Sequence, residues 1–203
     1  MDPIKDNAPV IMKRRDLDDL PAYALRDGFC LRWFRAGDDV LWPEIQLGAY
    51  QDEKVVPPGL FEREFVGDPA TQAERICFLV ERSTGEAIGT AAAWWQRDDD
   101  GVTWWRLHWV GIRHDHQGRG LAKPMVSEVC RRLRNLGHDR AFLTSSTARI
   151  PAINLYRVFG FEPVVRSAED WLAWDCLRQH MKLGLGTDFP KECPTSRGKG
   201  GRA

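Results

Sequence analysis

With 203 residues, 43% of them hydrophobic, the chain is long enough for one ordinary core, and a single domain with tails is the expectation. Lys plus Arg and Asp plus Glu stand at 29 each, so no net field points to nucleic acid or to an anionic membrane. No apolar run approaches the ~18 residues that cross a bilayer, and Met1-Asp2-Pro3-Ile4-Lys5-Asp6 lacks a signal-peptide core, so a cytoplasmic protein is expected.

Residues 1–26 read as an N-terminal arm with weak periodicity, in which Asp16, Asp18 and Asp19 form a solvated face. The domain proper is expected over residues 27–183. Phe29 to Phe34 alternates as a first strand, and Gly37-Asp38-Asp39 caps a helix through about Ala49. Pro57-Pro58 breaks the chain, and Leu60 to Val66 suits a short helix carrying Glu62 and Glu64. Asp68-Pro69 turns it again, with a helical turn over residues 70–74. Strands follow at Arg75 to Glu81, Ala87 to Gln96 and Val102 to Ile112, joined by turns at residues 83–86 and 98–101 into an antiparallel meander. Trp94, Trp95, Trp104, Trp105 and Trp109 crowd this hairpin. They suit core packing, a homodimer face or, less often, an aromatic acceptor pocket.

Gln117-Gly118-Arg119-Gly120-Leu121-Ala122 joins the last of these strands to a helix whose apolar residues Leu121, Met125, Val129, Leu133 and Leu136 fall at helical spacing. A helix start carries unpaired N–H groups and about half a positive charge, and Gly118 and Gly120 let the backbone approach an anion closely. A dinucleotide fingerprint would need glycine where Lys123 stands, and a Walker loop would need Gly-Lys-Ser/Thr. His114, Asp115 and His116 could suggest a metal, but they sit where an anion is expected, and no metal is predicted. Cys30, Cys77, Cys130, Cys176 and Cys193 form no Cys-x-x-Cys pair and read as reduced thiols.

Beyond the helix, Gly137 closes it, Arg140 to Thr144 makes a strand expected to run parallel to the fourth, and Ser145, Ser146 and Thr147 cap a helix opened by Pro151 and closed by Gly160. Phe161 to Val165 is a sixth strand. Ser167-Ala168-Glu169-Asp170 reads as a capping box for a helix to about Leu183, and residues 184–203 as a disordered basic tail.

The spacing Gln117, Gly120, Ala122, followed about thirty residues later by Ala152, Asn154, Tyr156 and Gly160-Phe161, resembles the two signatures of the GCN5-related N-acetyltransferases (GNAT) over roughly Phe29 to Val164. The resemblance implies an α/β (α+β) fold with a mixed, mostly antiparallel central sheet of six to seven strands flanked by helices. The C-terminal helix departs from the family's usual seventh strand. It also implies acetyl-CoA as co-substrate, transferring acetyl directly to a primary amine; acidic residues in the first two helices favour a cationic amine, a small molecule or a peptide, as acceptor. Gln117, Gly118, Arg119, Gly120, Leu121 and Ala122 would then hold the pyrophosphate. The backbone at Val110, Gly111 and Ile112 would meet the pantetheine arm and the oxyanion, and Asn154 would hold the cofactor from the other side. A strand-interior glycine such as Gly111 otherwise needs a bulge or a close approach to justify it. Tyr156 stands at the position of the general acid, since a phenol can protonate a departing thiolate.

His108 is the candidate base, where arylalkylamine N-acetyltransferases also carry histidine, and Glu62 and Glu64 are alternatives through a water. Trp42, Tyr50, Phe61 and Phe65 could line the acceptor or belong to the core. Three other readings stay open: acetylation of a protein N-terminus or lysine, a non-catalytic acyl-CoA-binding module, and an interaction protein using its tryptophans.

Overall fold

A computed structural model of the chain describes residues 1–49, 55–97, 103–186 and 189–194. Tyr50, the turn at residues 98–101 and most of the basic tail lie outside them. The chain divides into two compact units, Arg15–Ala141 and Met1–Arg14 with Phe142–Ala203.

The larger unit is built on four consecutive antiparallel strands, β2 (Phe29–Trp33), β3 (Ile76–Glu81), β4 (Ala87–Arg97) and β5 (Thr103–Ile112). Its helices are α2 (Leu41–Ala49), α3 (Leu60–Glu64), α4 (Pro69–Arg75) and α5 (Ala122–Asn135). β4 is central and buried along most of its length, and both α2 and α5 pack against it. Its run Gly89-Thr90-Ala91-Ala92-Ala93 explains why: small side chains let a helix approach without leaving voids. One core cluster joins Phe34, Trp42, Ile45, Phe61, Phe65, Phe78 and Trp94. Trp42, Phe61 and Phe65 are therefore core residues. Of the hairpin tryptophans, Trp94 is buried, while Trp95, Trp104, Trp105 and Trp109 are half-buried. Arg75 lies 5.0 Å over Trp95 and Arg140 4.9 Å over Trp104, so part of that aromatic surface is covered by guanidinium groups.

α5 buries Met125, Val126, Val129, Cys130 and Leu133 completely and turns its arginines outward. It ends at Gly137 (φ +82°), where His138 N–H reaches back to Leu133 O at 3.2 Å. That six-residue closure needs a left-handed residue, which glycine adopts without strain.

The smaller unit corrects the reading of the N-terminus. Residues 9–14, expected within an irregular arm, form strand β1 (Pro9–Arg14), with Val10, Met12 and Arg14 turned inward, after a short helix α1 (Pro3–Asp6). β1 lies between β6 (Ala141–Ser146) and the two-residue β7 (Glu162–Pro163), pairing Met12 with Pro163. Seven strands are thus present among the described residues. Helix α6 (Ile150–Val158) has Arg149 at its cap position, and its side chain does not cap the helix. Thr147, expected to cap it, instead accepts from Ala8 N–H and donates to Pro3 O, fastening the N-terminus. Helix α7 (Ala168–Asp175) is capped by Ser167 as expected but stops eight residues before Leu183, giving way to a 3-10 turn at Arg178–His180. The segment beyond it packs: Leu185 is buried and Phe189 stacks on Trp171.

Candidate active site

β5 carries an irregularity at its centre. Thr90 pairs with Gly111 and Ala92 with His108, so Ala91 alone faces two residues, Trp109 and Val110. This is a β-bulge, and Trp109 takes a left-handed backbone (φ +46°) to make it. Such a φ is costly for a bulky residue and persists only where its surroundings hold it. Two side chains do so. The Trp109 indole N–H donates to Glu64 Oε2 at 2.9 Å, and Gln46 Nε2 donates to the Trp109 carbonyl at 3.4 Å. Gly111 has its reason here as well: a Cβ would meet Ala49 Cβ and Gln46 Oε1, each at 3.1 Å, so glycine admits α2 against the strand.

His108 Nε2 lies 2.9 Å from the same Glu64 oxygen. His108 is buried, and burial outweighs its bond to Glu64 and pushes it down to about 4, with Arg106 repelling the proton further. Its ordinary imidazole value, the basis for naming it as base from sequence, is therefore not kept. The hydrogen bond from His108 holds Glu64 down at about 2 against the cost of burial, helped by the Trp109 N–H and by Arg106. At neutral pH the pair is thus an uncharged imidazole donating to a carboxylate, not an ion pair. The Glu64 side chain keeps 30% of its exposure, whereas Glu62 faces outward. Phe65, 5.6 Å from the His108 ring, backs the pair.

This depression links to stability. Below pH 6.5 the unfolded chain takes up a proton that folded His108 refuses until about 4, so the stabilisation is whole above 6.5 and falls as pH drops through that window. The loss expected from His108 is about 2 kcal/mol by pH 5. His138, pushed down to about 4 by burial and Arg75, adds to it with the same sign. Urea unfolding at pH 7 and pH 5 checks this: His108→Asn should lose a clear part of the slope, and equal pH slopes in both proteins would contradict it.

Beyond β5, Arg113 bonds Glu86 and Asp115, a 3-10 turn covers His114–His116, and the glycine loop follows. Gly118 (φ +71°) and Gly120 (φ +79°) both need the left-handed region, and a Cβ on either would meet nothing within 4 Å, so the outer face of the loop is open. The N-terminus of α5 has no side-chain cap. A left-handed glycine pair before an uncapped helix is a fit for phosphate oxygens. Two side chains around it also bond within the protein. Gln117 Nε2 donates to Ala49 O and Ile112 O, tying α2 to the end of β5. Arg119 turns back to His116 Nδ1 at 2.8 Å and lies 4.9 Å over Phe29.

In the smaller unit Tyr156 is buried on α6, its ring 6.3 Å from that of Phe161. Asn154 Nδ2 donates to Ile150 O and His180 O, while its Oδ1 accepts from Lys182 N–H. Both its amide hydrogens are spent on the protein. Cys77 is no nucleophile, since burial pushes its thiol up to about 12.

Gly111 hinted at the bulge in the sequence, whereas Gln46 and the left-handed Trp109 went unread. The available signal for Gln46 was an amide at 46 within the apolar face Trp42, Ile45, Ala49, where a polar side chain must be buried.

The model of the acetyltransferase (GNAT) family matches residues 38–161, more than half of the chain, which belongs to that family. Rat N-acetyltransferase 8 is 30% identical over 98 residues, covering 48% of this chain and 44% of the relative. A GCN5-related N-acetyltransferase from Sphaerobacter thermophilus superposes with a TM-score of 0.59 at 27% identity, over 77% of this chain and 48% of that one. The chain therefore spans less than half the length of these two relatives. The NatC complex bound to Gag peptide and CoA shares the fold, at a TM-score of 0.55 and 15% identity over 68% of this chain and 87% of that one. The fold class expected from sequence, strands of a mixed sheet flanked by helices, is that of these neighbours. Among the described residues no helix is long and apolar enough to cross a membrane.

Proposed function

We infer that the chain is an acetyl-CoA-dependent N-acetyltransferase acting on a primary amine that arrives as a small cation. The observation carrying this reading is the Glu64 carboxylate, ionised and partly exposed at the bulge of the strand that feeds an open glycine loop. Family membership supports the transfer chemistry, and the CoA-bound fold neighbour supports the co-substrate.

When bound, acetyl-CoA supplies an acetyl thioester whose carbon–sulfur bond breaks as a carbon–nitrogen bond forms. The backbone N–H groups at Gly118, Gly120, Leu121 and Ala122 would hold its phosphates, with Gln117 shaping the loop and the exposed Arg119 adding charge beside it. The backbone of β5 at Val110, Gly111 and Ile112 would line the acyl arm and the developing oxyanion. Glu64 attracts the ammonium form of the acceptor. The Glu64–His108 pair relays the proton towards solvent and does not keep it, since both groups stay deprotonated at neutral pH. Tyr156, assigned through its motif, protonates the departing thiolate. Orienting both reactants supplies most of the rate.

An amine panel read by thiol release tests the reading, with Tyr156→Phe alongside. Turnover should fall at least tenfold with unchanged acetyl-CoA affinity. A variant as fast as wild type would remove Tyr156 from the chemistry, and no thiol release with any amine would remove the activity.

A further inference from the structure

The buried face of α2 holds two polar atoms that find no hydrogen-bond partner among the described residues. They are Gln46 Oε1 and, one turn earlier, Trp42 Nε1, and both residues are fully buried. Both side chains lie against Trp109: the indole of Trp42 stands edge-on to it at 4.9 Å, and Gln46 Nε2 donates to its carbonyl. That donation fixes which way the Gln46 amide points, because the reverse orientation would set two carbonyl oxygens against each other. Oε1 is therefore directed at the bare Cα of Gly111, where a Cβ would come within 3.1 Å of it.

A buried acceptor without a donor is a standing cost to the fold. An apolar side chain of similar size would pack there without it. Position 46 keeps the carboxamide beside the one strained residue of β5, between the strand that leads to the glycine loop and the helix tied to that loop through Gln117.

We propose that Gln46 is a ligand-binding residue whose Oε1 accepts an N–H from a bound reactant at the β5 bulge. This rests on the acetyltransferase reading above. The chemistry required is a single N–H donor, which two reactants could supply: an amide of the pantetheine arm or the amine of the acceptor. Its partner on the protein side, the Trp109 carbonyl, keeps the carboxamide oriented for either one.

The test uses the full chain with Gln46→Met, which keeps the volume and removes both polar atoms, and Gln46→Glu. Burial keeps that glutamate protonated, so its hydroxyl can donate to the Trp109 carbonyl while its carbonyl oxygen remains an acceptor. Each protein is titrated calorimetrically with acetyl-CoA and assayed for amine KM, at temperatures well below its own unfolding midpoint. If the pantetheine amide is the donor, Gln46→Met weakens acetyl-CoA at least tenfold. If the amine is the donor, acetyl-CoA binding is unchanged and amine KM rises at least tenfold. In either arm Gln46→Glu recovers most of the loss, and the ligand-free unfolding midpoint of Gln46→Met is not below that of wild type. The proposal is overturned if Gln46→Met matches wild type in both arms, or if Gln46→Glu is as impaired as Gln46→Met. Failure of the wild type itself to bind acetyl-CoA would instead overturn the acetyltransferase reading, and this inference with it.

Discussion

Replacing Glu64 by Gln is expected to lower kcat/KM for cationic amines about a hundredfold while leaving the fold nearly as stable as before. The two consequences separate because Glu64 has two tasks. As an acceptor, its Oε2 satisfies the His108 ring and the Trp109 indole, and a glutamine oxygen can still accept from both. As a charge, it is the anion proposed to draw in the acceptor, and a glutamine carries none. Truncating one member of a desolvated charge pair costs roughly 2–5 kcal/mol, which spans a hundredfold and more in rate. Glu64→Leu, by contrast, would orphan both donors and add about 1–3 kcal/mol of destabilisation for each. Steady-state kinetics on a cationic and a neutral amine, with thermal unfolding of both variants, separates the tasks. A Glu64→Gln enzyme with wild-type kcat/KM for the cationic amine would contradict the role given to the carboxylate.

Much of the larger unit could be read from the chain because its signals are local. Turn residues separate β3 from β4 and β4 from β5, and α5 carries an unbroken apolar face from Met125 to Leu133 between a glycine loop and Gly137. The missed elements depend on distant partners. Val10-Ile11-Met12 is too short an apolar run to announce a strand by itself; β1 pairs Met12 with Pro163, some 150 residues away. The bulge is similar. A tryptophan is a poor candidate for a left-handed backbone, and only Gly111 hinted that the strand departs from regularity. Its supports, Glu64 and Gln46, come from two helices earlier in the chain, and their convergence on Trp109 follows from packing. Loop side chains were the other limit. Gln117, Arg119 and Asn154 match motif positions, and Gln117 Nε2, one Arg119 nitrogen and the Asn154 amide bond within the protein; a motif records residue type and not the direction in which a side chain points.

Calorimetric titration of the chain with acetyl-CoA, beside Gly120→Glu and Gly120→Ala, shows whether the glycine loop holds the co-substrate's phosphates. A carboxylate at 120 would project from the open face of the loop and meet the phosphates, and two like charges at 4 Å repel by about 4 kcal/mol at the effective dielectric of a protein surface. Both substitutions also force a side chain into a left-handed backbone, costing roughly 1–2 kcal/mol of stability whatever the charge. The alanine variant isolates that strain. Saturable one-site binding by the wild type, weakened at least a hundredfold in Gly120→Glu and less than about tenfold in Gly120→Ala, is the predicted result. Absence of binding by the wild type, or equal binding by Gly120→Glu, would mean that the glycine loop holds no phosphate and that the chain's acetyltransferase fold serves another ligand.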